Sequence, residues 1–111
     1  MDRQIKIKKL VLFLIKQKGN IDSSYFFNQI FTRLGIFDSV HEIIDGLSKE
    51  DLIIHKGYFD DNGKLFKNIS LTKKGEDEVQ NSNLIEEYDV MESEFDNFSF
   101  LKPIFFNDQA S

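Results

Sequence analysis

Two histidines, His41 and His55, stand fourteen residues apart as the side chains of this chain best suited to proton transfer near neutrality. Neither has a Ser, a Cys or a paired carboxylate beside it that would make a nucleophile or an acid/base couple. Neither has partners at metal-ligand spacing, and the lack of any cysteine removes thiolate sites and disulfides. The expectation is a chain that is no enzyme, has no catalytic residue, and needs neither cofactor nor metal. Binding chemistry is better supplied. Lys49, Lys56, Lys64, Lys67, Lys73 and Lys74, with His41 and Ser48 near them, are candidates for contacts to phosphates and base edges of DNA. Lys6, Lys8, Lys9, Lys16 and Lys18 form a second set. Only Arg3 and Arg33 are arginine, the side chain that grips guanine or phosphate with two parallel bonds.

The net charge of −5 conceals a division of the chain. Residues 1–75 carry 13 Lys and Arg against 9 Asp and Glu, a balance of +4, whereas residues 76–111 carry 1 against 10, a balance of −9. A mildly basic body is joined to a strongly acidic tail. With 111 residues, 41% of them hydrophobic and twelve of them Phe, the chain can build one real core. The strongest apolar run, residues 10–15, is too short to span a membrane and has lysine at both ends. A reducing, cytoplasmic setting without membrane attachment is expected.

Binding residues need elements to hold them. Ile7, Leu10, Val11, Leu14 and Ile15 recur at helical spacing in residues 2–18, and Ile5, Leu12 and Phe13 widen that face, so the first helix should be buried on more than one side. After a short "GNID" connection, Ser23 or Ser24 can cap a second helix with Phe27, Ile30, Phe31 and Leu34 as its stripe and Gly35 as its end. "SVHE" opens a third helix, residues 39–50, with a capping box of Ser39 and Glu42. Val40, Ile43, Ile44 and Leu47 are its inward stripe. "LIIHKGYF", "DDNGK" and "LFKNISL" read as a hairpin turning at Asn62 and Gly63. Thr72 can cap a fourth helix whose first turns hold Glu76, Asp77 and Glu78, and Gly75 would let that helix approach a neighbour closely.

Helix, extended link, helix, turn, helix, hairpin, helix is an order that resembles the winged helix-turn-helix superfamily over residues 2–83. The stretch "VHEIIDGLSKEDLI" running into the hairpin, and "LTKKGEDEV" leaving it, look like the third helix, the wing and the post-wing Leu-Thr-x-x-Gly signature of MarR- and PadR-like regulators. The resemblance implies a mainly α fold with a small β-hairpin (α+β): a three-helix core, a wing and a C-terminal helix. It also implies a dimeric regulator that binds double-stranded DNA, with residues 39–50 in the major groove and residues 58–67 as the wing. The outward face of the third helix is His41, Glu42, Asp45, Ser48 and Lys49. Phosphates would repel Glu42 and Asp45 unless each met a cytosine amino group. The alternative is therefore a winged helix that binds protein, such as a phage or mobile-element product that blocks a host nucleic-acid machine in the manner of an anti-CRISPR.

Residues 84–111 form the second region, an acidic, aromatic-rich helix or tail. Leu84, Tyr88, Met91, Phe95 and Phe98 follow one another at spacings of 4, 3, 4 and 3, the seam of a coiled coil. They are the candidate dimer or partner interface, with packing on the chain's own body as the other outcome. Pro103 is expected to stop any helix.

Overall fold

A helix that is apolar all round belongs inside a protein rather than on its surface. Helix α1 (Arg3–Lys18) is of that kind over residues 10–15: Leu10, Val11, Leu12, Phe13, Leu14 and Ile15 are all buried, as is Ile7 one turn earlier. The computed structural model describes residues 3–60, 63–80 and 83–106. Strand β1 (Ile21–Ser23) and helices α2 (Tyr25–Leu34) and α3 (Val40–Lys49) follow, then strands β2 (Ile53–Asp60) and β3 (Gly63–Leu71). Helices α4 (Lys73–Gln80) and α5 (Leu84–Glu94), a 3-10 turn (Phe98–Leu101) and the short helix α6 (Lys102–Phe106) complete it. The described chain is mainly helical with a small three-stranded antiparallel sheet in the order β1-β3-β2, which bears out the α+β class.

The helix signals act locally as expected. Ser39 caps α3 by accepting from the Glu42 amide at 3.2 Å, and Val40, Ile43, Ile44 and Leu47 are its buried face. Gly35 ends α2 in a left-handed conformation (φ 72°), giving its N–H to the last carbonyls of the helix. Ser24 departs from its expected role. It is buried, its hydroxyl accepts from the Phe66 amide of β3 at 3.3 Å, and it makes no side-chain cap bond to α2. The "GNID" link likewise becomes a third strand, with Ile21 opposite Ile69 and Ser23 opposite Lys67. Three residues hold no readable alternation, so only the exposed edge of β3 makes them a strand.

In the hairpin, Phe59 pairs with Lys64 and Asp60 with Gly63, whose φ of 114° is open to glycine at little cost. Asn62, the other expected turn residue, lies outside the described residues. The register slips by one between Ile54 and Lys56, opposite Asn68, which adopts φ 52°. This is a bulge, and it resets which side of β3 faces the core.

Helix α4 is anchored at its start. Thr72 accepts from the Gly75 amide at 3.0 Å and donates to the Asp51 carbonyl at 2.6 Å, linking α4 to the turn after α3. Gly75 lies directly against the Leu52 carbonyl, and a Cβ there would collide with backbone on both the oxygen and the carbon. Gly75→Ala should therefore cost at least about 1–3 kcal/mol, because backbone does not give way as a side chain does. Ile44→Ala and Leu47→Ala, at positions with no exposed surface, should each cost about 2–5 kcal/mol. Urea denaturation measures all three; a loss below about 0.5 kcal/mol at Ile44 or Leu47 would contradict the inward facing of α3.

Candidate functional site

The acidic tail meets the basic body at α1. Lys6 Nζ bonds Glu94 at 2.8 Å, and Lys9 Nζ bonds Glu87 at 3.2 Å, both across from α1 to α5. Lys8 turns the other way, to Glu50 at the end of α3, at 2.9 Å. Part of the charge asymmetry of the sequence is thereby closed within the chain. The hydrogen bond from Lys6 and its charge hold the Glu94 carboxyl below its ordinary value of 4.5.

The apolar seam of the tail is also closed within the chain. Tyr88, Met91, Phe95 and Phe98 are buried in the same core as α1, and Leu84 packs at its edge. Only Leu84, Tyr88 and Met91 lie on α5. The helix ends at Phe95, which is extended (φ −117°, ψ 141°), and Asn97 takes a left-handed turn before Phe98. The seam of the sequence is therefore no continuous helical stripe, and four of its five side chains have partners without a second copy. Tyr88 stacks near Phe98, Phe105 and Phe106 at 5.2, 5.5 and 5.2 Å, and Phe105 lies 6.0 Å from Phe13 of α1. Burial first, and then the neighbouring Glu92 carboxylate, raise the Tyr88 phenol above its usual 10.0. Pro103 stops no helix; it sits in the first turn of α6, where its missing N–H has no bond to lose.

The DNA-contact candidates fall on two faces. On α3, His41 and Lys49 are exposed and Ser48 is half-buried, but Lys49 is engaged by Asp45 at 3.1 Å, and Glu42 is exposed beside them. On the hairpin, successive residues point to opposite sides. Phe66 points toward α3, since its ring lies 5.2 Å from His41 and 4.3 Å from His55. Lys67, the next residue, points away, and its ammonium sits 5.8 Å from the Tyr58 ring. Lys56 is directly opposite Lys67 in the register and shares that away side. Lys64 is placed opposite Phe59 on β3. Lys73 pairs weakly with Asp77 at 3.8 Å, and Lys74 donates to the Glu50 carbonyl at 3.1 Å. The histidines thus converge on one phenylalanine rather than on a nucleophile, and Lys56 and Lys67 point away from α3.

Two exposed aromatics are absent from the sequence-based candidates. Phe37, in the turn before α3, is 98% exposed, and Phe59, near the tip of the hairpin, is 80% exposed. Phe59 follows Tyr58 and so points to the same side as Phe66, toward α3. One signal was available for Phe37: it belongs to neither helical stripe and stands between two capped helices. Comparison of the chain with protein families, with curated proteins and with solved structures finds no match. Among the described residues no helix is long and apolar enough to cross a membrane.

Two outcomes test the placement of the tail. Met91→Ala and Phe98→Ala should lower stability by about 2–5 kcal/mol while leaving the mass in light scattering unchanged; a changed mass at unchanged stability would restore the seam between chains. Since Glu94 binds its proton less readily when folded, its contribution is present above pH 4.5 and is lost as pH falls through the lower folded value. Lys6→Met should remove that part of the acid dependence, read as a flatter stability profile below pH 4.5 in denaturation at stepped pH.

Proposed function

We propose that this chain is a winged helix that works by docking on a protein, through the outward face of α3 and the adjoining side of the hairpin. The element order, the sheet order β1-β3-β2 and the packing of the first turn of α3 on Phe66 support the winged-helix assignment. The observation that carries the choice of partner is the direction of the wing. By strand alternation its α3 side carries Phe59, with Lys64 opposite it in the register, while Lys56 and Lys67 point the other way; on and before α3, Glu42 and Phe37 are exposed. DNA reading through α3 and wing together needs a continuous positive strip on one side. The α3 end of that side is acidic and carries an exposed aromatic at Phe37, which suits a partner with basic residues around apolar pockets. The surfaces of proteins that handle nucleic acids have that chemistry.

A DNA-binding regulator is the second reading, and one observation favours it. Lys56 and Lys67 face each other directly across the strands, an arrangement that costs stability unless an anion relieves it. Backbone contact by the wing alone would do so.

A gel-shift on genomic DNA at two salt concentrations, run beside a pull-down from the source organism, separates the two. The expected result is no retardation at either salt, and a captured protein that is lost with Phe59→Ser and Glu42→Lys but retained with Lys67→Ala. Retardation at low salt that disappears with Lys67→Ala and weakens steeply with salt would replace the protein reading by the DNA one.

A further inference from the structure

A groove of about 520 Å³ runs between α2 and the C-terminal segment, with Phe26, Ile30, Leu101 and Ile104 as its apolar lining and Arg33 at one end. It uses none of the residues placed on the docking side. Arg33 sits over Phe100, its guanidinium carbon 3.9 Å from the ring centroid. A second, polar hollow of about 330 Å³ shares Arg33 and Phe100 and adds Asn97 and Ser99. In a chain of net charge −5, with ten acidic residues in its last 36, Arg33 has no carboxylate at ion-pair distance among the described residues. Lys6, Lys8 and Lys9 are each spoken for by one. Contact with the ring face leaves N–H groups of the guanidinium for a planar oxyanion. At the other end of the groove the Lys18 ammonium stands 5.7 Å from the Phe26 ring, so cations flank the apolar floor.

We propose that this groove binds an unbranched acyl carboxylate, with the carboxylate on Arg33 between Asn97 and Ser99 and the chain along α2 toward Phe26. The chemistry of each part selects the ligand. A forked guanidinium matches a carboxylate; Asn97 and Ser99 add polar side chains; and the groove is mainly apolar, with Gln29 and Thr32 as its uncharged polar lining. The length follows from the helix. Arg33 and Phe26 are seven residues apart, about 10 Å along α2, which is the reach of roughly eight methylenes at ordinary carbon–carbon geometry.

Decanoate, kept below its micelle-forming concentration, is the probe, with decanol as the uncharged control and the full chain as the receptor. Nitrogen-15 spectra should show saturable shifts at the Arg33 side chain and at the amides of Ser99, Phe100 and Leu101. Arg33→Gln, at an exposed position that leaves the fold intact by circular dichroism, should weaken decanoate about tenfold or more. Decanol should bind more weakly than decanoate and be indifferent to that change. Ile30→Ser should weaken both ligands. Equal decanoate affinity in Arg33→Gln, shifts spread over Ile54, Phe37 and Ile85 instead of the groove, or no saturable binding would overturn the proposal. Binding of a peptide C-terminal carboxylate where decanoate fails would overturn the acyl assignment as well.

Discussion

The burial of residues 10–15 of α1 on every side is the constraint on which the rest of the molecule depends. Six consecutive apolar side chains, residues 10–15, cannot be covered by α2, α3 and the sheet alone, because a helix lying on one layer always presents its other side to water. The C-terminal segment supplies the missing cover. Phe105 reaches Phe13, Gln17 of α1 donates to the Phe105 carbonyl at 2.6 Å, and Tyr88 and Phe98 complete the aromatic layer. The acidic tail is thus part of the fold before it is anything else. Each fully buried side chain of this size contributes about 1.5–3 kcal/mol of transfer free energy, which sets the scale on which the individual surface ion pairs are minor.

Covering α1 with the tail also determines which charges remain for a partner. Glu87 and Glu94 are directed to lysines of α1, and Glu50 to Lys8, so neither set is free as an isolated patch. Outward on α3 stand the exposed Glu42 and the ion pair of Lys49 with Asp45. Two large aromatic side chains stay exposed, Phe37 in the turn before α3 and Phe59 near the tip of the hairpin.

The bulge at Asn68 decides the geometry of that surface. Without the extra residue, the strand alternation that puts Ile69 and Leu71 against the core would put Lys67 there as well and turn Phe66 outward. With it, Phe66 is fully buried between His41 and His55, and Lys67 lies beside Tyr58 on the far side. A single left-handed residue therefore sets Lys56 and Lys67 on the side away from α3.

Local chemistry was legible in the sequence. Helices α1 to α4 follow from apolar spacing and from Ser39, Gly35 and Thr72 at their ends, and the hairpin follows from β-prone runs around a turn at Gly63, since each of these signals acts within a few residues. The inward stripe of α3 was legible for the same reason, and with it the acidic outward face. The tertiary structure decided what depends on distant neighbours. Strand β1 exists because β3 has an edge to offer. Ser24 serves the sheet because Phe66 comes within reach of it. The spacing of Leu84, Tyr88, Met91, Phe95 and Phe98 specified an apolar surface but not its partner, as periodicity is the same whether the complement lies in another chain or on α1. The direction of Lys56 and Lys67 was illegible for a sharper reason: one positive φ at Asn68 reverses the parity of a strand, and the residue letters carry no record of it.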